Sequence, residues 1–440
     1  KLMKKVLWVL LLALVVAAGG LYWAGTRDDA STGPAAAAQD AATLVERGRY
    51  LAQAGNCMAC HTSRGGQPLA GGTPIPTPFG TVYGPNITPD EQTGIGAWTA
   101  DDFWQALHNG KSRDGTLLYP AFPYTEYTRI TRADADALYA YLRSVPPVSR
   151  ANRPPELEFP YDQRALLAAW RALYFKPGVM EPDAGQSLQW NRGRYLVEGL
   201  GHCAACHTPR NSMGALRSEQ PLGGGVIPVL DWYAPPLTND MQTGMGRWSA
   251  EDIAMLLKTG VSRHSSVSGP MAEVVLGSTQ HLSDDDALAI GVYLKSLPAA
   301  PAAAQPPKAP VSPAAMELGG KLYQQQCVQC HQAEGQGSGT AWPALAGNPT
   351  VTAPSPVNAI RMVLDGGYAP ATAANPRPHG MPPFGQLLND SDVAMLVSYI
   401  RNSWGKIKAD VHAENVRTGA LLSEMDPVAL EGSTVILTAP

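Results

Sequence analysis

Three pentapeptides decide how this chain is read: Cys57-Met58-Ala59-Cys60-His61, Cys203-Ala204-Ala205-Cys206-His207 and Cys327-Val328-Gln329-Cys330-His331. They use all 6 cysteines, and each is closed by one of only 9 histidines. Two thiols three residues apart with an adjacent imidazole are the attachment signature for a c-type haem. The thiols add to the vinyl groups on one porphyrin edge, and the imidazole reaches the iron as proximal ligand. A redox dithiol has no need of a histidine three times over, and a structural zinc site needs two pairs close together. The pattern predicts three covalently bound haems c, held by Cys57, Cys60, His61, Cys203, Cys206, His207, Cys327, Cys330 and His331.

Outward from these motifs the chain repeats itself. Arg47-Gly48-Arg49-Tyr50-Leu51 precedes the first, and Arg192-Gly193-Arg194-Tyr195-Leu196 precedes the second. Downstream come Thr93-Gly94-Ile95-Gly96-Ala97-Trp98 and Thr243-Gly244-Met245-Gly246-Arg247-Trp248, each leading into a helical run with an acidic start. The closing segments align as Asp136 to Leu142 and Asp286 to Leu294. A shorter third unit opens with Gly319-Gly320-Lys321-Leu322-Tyr323 and closes on Asp392 to Ile400. Each unit reads helix, motif, long loop, helix, loop, closing helix, which is the order of an all-α cytochrome c fold.

Composition agrees. The chain has 440 residues, 45% hydrophobic and 16% charged, with net charge −4. It is too apolar for a disordered chain and lacks the basic excess of a nucleic-acid binder. Glycine (44) and proline (39) imply long loops around cores that need an extra staple, such as disulfides, a metal or a large cofactor. The expected organisation is a transmembrane anchor at 1–25, a flexible linker at 26–42 and a first domain at 43–146. A connector at 147–186, a second domain at 187–298 and a Pro/Ala linker at 299–313 follow. A third domain at 314–404 and a tail at 405–440 complete it. Within the connector a helix is expected near Tyr161–Phe175, with Leu166, Trp170 and Leu173 on one face that packs between domains or, as the alternative, docks a partner.

The N-terminal reading rests on Lys1, Lys4 and Lys5 followed by an apolar run from Val6 to Ala24, with Tyr22 and Trp23 at its end. Such a run spans a bilayer with its lysine end in the cytoplasm, so the haem domains face the periplasm. The competing reading is a cleaved signal peptide, because Ala17, Ala18, Gly19 and Gly20 offer a small-residue cleavage site.

The sixth iron ligand decides what each haem does, since methionine raises the potential and closes the iron to substrates. Met381, in Gly380-Met381-Pro382-Pro383-Phe384, and Met271, in Gly269-Pro270-Met271-Ala272, stand in the corresponding turns of the third and second units. The first unit has Tyr119-Pro120-Ala121-Phe122-Pro123-Tyr124, with Phe122 in place of methionine. His108 and Met180 are weak candidates for its sixth ligand. Alignment of the units puts His108 at a polar, solvent-facing position.

With these residues in hand, the chain resembles the membrane-bound three-haem cytochrome c subunits of periplasmic dehydrogenases along nearly its whole length. The resemblance implies an electron-transfer subunit, not an enzyme by itself, in a bacterial inner membrane. Its partner there is a catalytic subunit carrying pyrroloquinoline quinone, flavin or molybdopterin, with an iron–sulfur small subunit as a further candidate, and its acceptor is ubiquinone. Versions serving alcohol and sugar-acid oxidation usually have methionine in the Tyr-Pro-Ala-x-Pro-Tyr loop. Phe122 is more similar to the cytochromes of molybdopterin aldehyde dehydrogenases, which makes that partner the leading expectation. Two other classes stay open: a haem enzyme acting at an open first haem, and a free-standing electron shuttle.

Overall fold

The computed structural model describes residues 1–33, 39–299, 312–405 and 411–417. The chain divides into two compact units, the larger holding the first two motifs and the smaller the third. Most of the expected Pro/Ala linker and of the tail lies outside the described residues, although Ala413–Arg417 forms a short helix.

In the larger unit each motif sits in its own three-helix frame. The first is built by Ala41–Ala54, Ala100–Asn109 and Arg132–Ser144, the second by Leu188–Tyr195, Ala250–Thr259 and Asp284–Ser296. The sequence starts these helices explicitly. Thr99 with Asp102, and Ser249 with Asp252, form capping boxes that satisfy the otherwise unpaired N–H groups of the first turn. Opening and closing helices cross so tightly that only glycine fits at the crossing. A Cβ on Gly48 would lie 1.9 Å from the Ala137 carbonyl oxygen, and one on Gly193 1.9 Å from that of Ala289. Behind the crossings Leu51, Trp104, Leu138 and Leu142 pack in one apolar core with Leu196, Trp248, Ile290 and Leu294. The long first loop is not wholly irregular. Pro74–Thr77 and Gly80–Tyr83 form an antiparallel hairpin, to which Glu156–Leu157 adds a third strand with Thr81 opposite Glu156.

The first two frames are tied to each other by an exchange of tyrosines. Arg47 binds Asp134 of its own frame through Nε (2.8 Å) and Nη2 (2.6 Å), while Tyr195 of the second frame donates to the other oxygen of Asp134 at 2.6 Å. In return Arg192 binds Asp286 through Nε (2.7 Å) and Nη2 (2.6 Å), and Tyr50 of the first frame donates to Asp286 at 2.6 Å. Each tyrosine oxygen also accepts the N–H of the helix-capping residue beside that aspartate, Thr131 for Tyr195 and Ser283 for Tyr50. This corrects the repeat alignment: the partner of Asp286 is Asp134, not Asp136. Both stand three residues after a capping Ser or Thr, and counting from the cap sets the register that the Asp-Ala-Leu match displaced by two.

The apolar N-terminal segment is one helix, Leu2–Thr26, with mean hydropathy 2.3 over its best window and side chains exposed along nearly all its length. Its last turn is clasped by one residue of the connector and one of the first domain. The Arg171 Nε donates to the Gly25 carbonyl at 2.7 Å, and the Lys111 Nζ to that of Thr26 at 2.7 Å. Two cations thus meet the negative end of the helix dipole and its unpaired carbonyls. The connector helix is Leu166–Tyr174, and it packs between the first two domains as expected: Trp170 shares a buried cluster with Tyr124 and Ala215, and its Nε1 donates to the Met213 carbonyl at 2.9 Å. It also packs against the end of Leu2–Thr26, where a Cβ on Gly25 would strike the Ala168 carbonyl at 1.7 Å. It buries Leu167, Ala168, Trp170 and Arg171 but leaves Leu166 and Leu173 51% and 62% exposed. The face drawn through Leu166, Trp170 and Leu173 is therefore split, because the helix is gripped along a neighbouring stripe.

The smaller unit repeats the frame with Pro313–Gln326, Val357–Asp365 and Asp390–Ser403. Gly319 takes the crossing position, its Cβ site 2.2 Å from the Met395 carbonyl. Counting from that glycine, Leu318 and Lys321 stand where the other frames have arginine and tyrosine. Among the described residues Lys321 pairs with Glu317 alone, at 2.7 Å and exposed.

Candidate haem centres

Each motif forms one short helical turn following the opening helix: Cys57–His61, Ala204–His207 and Val328–His331. Helical spacing puts both thiols and the imidazole on neighbouring positions of one face. Asn56 (φ 53°) and His202 (φ 38°) take positive-φ conformations immediately before Cys57 and Cys203.

The histidines are fixed alike. His61 Nδ1 lies 2.7 Å from the Pro85 carbonyl, His207 Nδ1 2.7 Å from that of Pro235, and His331 Nδ1 3.0 Å from that of Pro343. A carbonyl only accepts, so Nδ1 carries the hydrogen and Nε2 keeps its lone pair. Burial holds all three imidazoles below their usual pKa, against the smaller opposing pull of the carbonyl, which favours the neutral, metal-binding form. The backbone carbonyl is the orienting partner that metal-bound histidines generally have. Sequence reasoning missed these prolines, although Gly84-Pro85-Asn86, Ala234-Pro235-Pro236 and Trp342-Pro343-Ala344 stood in view after each motif.

None of the 6 cysteines is in a disulfide. Burial pushes Cys57 and Cys203 up to about 12 and Cys327 up to about 11, with the neighbouring motif cysteine adding to each shift. A working redox dithiol needs a lowered pKa, so this direction opposes that reading. Paired thiols beside an imidazole that offers Nε2 are a donor set suited to haem c. Cys60 is raised by burial and, after it, by Cys206, which brings the first two attachment turns within electrostatic reach of each other.

The expected sixth-ligand residues fall in different settings. Met381 is half-buried in the two-residue strand Gly380–Met381, paired with Gly367–Tyr368, and packs on the core that contains Cys327. Met271 is half-buried in the first turn of the helix Pro270–Gly277. Phe122 is half-buried with its ring 5.4 Å from that of Tyr127, whose hydroxyl donates to Gly55 just before the first motif at 3.2 Å. Met180 is half-buried in the connector, its N–H donating to Arg129.

His108 is the clear departure. It is fully buried rather than solvent-facing. Its Nδ1 lies 2.9 Å from the Thr128 carbonyl, its Nε2 3.0 Å from Asp29 Oδ1, and its ring stacks on Trp104 at 4.3 Å. With both nitrogens engaged it has no lone pair left for an iron. The alignment failed because Asp29 comes from the segment after the N-terminal helix, which the second and third units lack.

The cytochrome c family profile matches residues 45–146, 191–298 and 316–404, one stretch for each frame. The chain belongs to the cytochrome c family. It carries three attachment sites for covalent haem c. It is 42% identical to the gluconate 2-dehydrogenase cytochrome c subunit of Pantoea cypripedii over 92% of this chain and 93% of that protein. It is 41% identical to the cytochrome c subunit of the quinone alcohol dehydrogenase of Gluconobacter oxydans (strain 621H), over 84% of this chain and 81% of that one. It is also 38% identical to the fructose dehydrogenase cytochrome subunit of Gluconobacter japonicus, over 89% and 86%.

Proposed function

We propose that this chain is the electron-transfer subunit of a membrane-bound dehydrogenase complex and passes electrons from a catalytic partner to ubiquinone. The observation that carries the reading is near-full-length similarity to cytochrome subunits of three dehydrogenases, joined to three haem attachment turns. The bound haems supply one-electron chemistry. The chain's own residues orient each imidazole through a proline carbonyl, bury it, and set each potential through the sixth ligand. Met271 and Met381 are proposed for the second and third irons, opposite His207 and His331, with His61 proximal at the first. The helix Leu2–Thr26 is proposed as an uncleaved anchor with the haem domains in the periplasm, a reading supported by its clasped last turn.

For the catalytic partner, the relatives favour an alcohol, sugar or sugar-acid dehydrogenase. The molybdopterin aldehyde dehydrogenase expected from Phe122 has only that residue behind it and becomes the second reading. Purification in mild detergent, with extraction for flavin and pyrroloquinoline quinone and metal analysis for molybdenum, separates them. Flavin or quinone cofactor is expected. Molybdenum at about one per three haem irons would reverse the order, and absence of any partner would overturn the subunit reading.

A further inference from the structure

One buried carboxyl of the larger unit takes no part in holding a haem and has no cation against it. Glu126 is 5% exposed and belongs to the turn Tyr124–Tyr127, directly after the loop that carries Phe122. Its carboxylate accepts from the Thr125 hydroxyl at 2.6 Å, and among the described residues no ion pair reaches it. The fold does not demand an acid at this place. Val275 stands four residues after Met271 as Glu126 stands four after Phe122, and Val275 is wholly buried.

Glu126 lies between the first two attachment turns. The next residue, Tyr127, donates to the Gly55 carbonyl at 3.2 Å, just before Cys57, and its ring meets that of His202, the neighbour of Cys203, at 5.5 Å. The Arg210 guanidinium is within electrostatic reach of both Glu126 and Cys206. It is committed to carbonyls, donating to Ala205 inside the second motif at 2.9 Å and to Gly214 at 2.7 Å. The other charged and titratable groups around the turn are engaged too. Arg129 pairs with Glu198 at 2.6 Å, Glu198 also accepts from Tyr293, and Arg171 lies over the Tyr124 ring and caps Gly25. His108 lies against the Thr128 carbonyl and Asp29. Burial pushes the Tyr124 and Tyr127 hydroxyls up and holds His202 below its usual value, so these three are uncharged neighbours at neutral pH. A carboxylate shut away from water without a counter-charge takes up a proton rather than stay ionised. Burial accordingly pushes Glu126 up, and the Thr125 hydroxyl, then Arg210 and Arg129, pull it back less.

We propose that Glu126 takes up a proton when one of the first two haems is reduced and releases it on reoxidation. The proposal goes beyond the electron-transfer reading and needs only the bound haems. As one electron turns ferric iron to ferrous, one proton from water turns the Glu126 carboxylate to the acid, so the buried region gains no net charge. When the electron moves on to the next carrier, the proton returns to water. The coupling is reciprocal: the electron raises the carboxyl's affinity for a proton, and the proton raises the haem's affinity for an electron. The potential therefore falls as pH rises, by at most tenfold in the reduction equilibrium, or about 59 mV, per pH unit.

The test is a redox titration of the detergent-solubilised complex with chemical mediators, from mildly acid to mildly alkaline pH. Mediators supply the electrons, so the result does not depend on which catalytic partner the chain serves. At least one of the three one-electron steps should fall with pH at a slope approaching the limit of about 59 mV per unit. Glu126→Gln, which keeps an acceptor for Thr125, should flatten that step. Thr125→Val removes a hydrogen bond to the charged carboxylate, so the sloping range should move to higher pH. Reduced-minus-oxidised infrared difference spectra should show a protonated-carboxyl band that Glu126→Gln abolishes. Should Glu126→Gln lose haem, the wild-type band and the Thr125→Val displacement decide alone. A slope that survives in a haem-replete Glu126→Gln places the proton on a haem propionate or another group and overturns the proposal. Three wild-type potentials that ignore pH would overturn it as well.

Discussion

Tyr50→Phe and Tyr195→Phe remove one oxygen each and leave the rings in place. Tyr50 donates to Asp286 at 2.6 Å and accepts from the exposed Ser283 N–H, which regains water in the variant. The loss is thus a hydrogen bond to a charged acceptor, worth about 1.5–3 kcal/mol. The half-exposed tyrosines put it near the lower end, about 1.5 kcal/mol for each and about 3 kcal/mol for both if they add. Burial pushes the Asp286 carboxyl up. The hydrogen bond and charge of Arg192, then the Tyr50 hydroxyl, outweigh burial and hold it below its ordinary value. For an acid with a depressed folded pKa, the stability is present above the unfolded value of about 3.9 and is lost as pH falls through the folded one. The Tyr50→Phe deficit should therefore be full at neutral pH and shrink in acid. Urea unfolding of the detergent-solubilised holoprotein, followed by Soret circular dichroism, measures it. The transition of the first two haem domains should move to lower urea while that of the third stays put. A double variant within about 0.5 kcal/mol of the parent, the usual size of a neutral surface change, would refute the exchange as a stabilising contact. An equal shift in the third domain would do the same.

Gly193→Ala places a methyl against the Ala289 carbonyl and should cost about 1–3 kcal/mol by overpacking, read as a lower melting temperature and fewer haems per chain in a pyridine haemochrome assay. Met381→Ala should abolish the methionine-to-iron charge-transfer band of one haem and lower that haem's potential. Redox titration with all three Soret signals unchanged would count against the assignment. Arg171→Leu leaves the Gly25 and Asn109 carbonyls without their donor, at a cost of about 2–6 kcal/mol for two buried acceptors. Faster protease cleavage between residues 26 and 40 should report the loosened clasp.

The haem frames were legible because their signals are local. Cysteine spacing, helix caps and the Arg-Gly-Arg-Tyr repeat all lie within a few residues of what they specify. What escaped was set by distant partners. Nothing near His108 announces Asp29, and only the folded chain shows that the Leu166–Tyr174 helix, besides packing between the domains, grips the N-terminal helix. The tyrosine exchange lay between these cases. Its donors were visible as a repeat, but its acceptors needed the register of the helix caps, which a match by residue type displaced from Asp134 to Asp136.

The exchange also has the logic of a symmetric dimer. Residue i of one half meets residue j of the other and the reverse, as in an isologous contact, except that here both halves are on one chain. Either domain alone would expose a tyrosine lacking its acceptor and an aspartate lacking its donor, each complementary to a second copy of the same domain. A fragment holding only residues 187–298 is therefore expected to self-associate, with Tyr195 of one copy reaching Asp286 of the other. The third domain, with Leu318 and Lys321 at the matching places, has no such complement to offer.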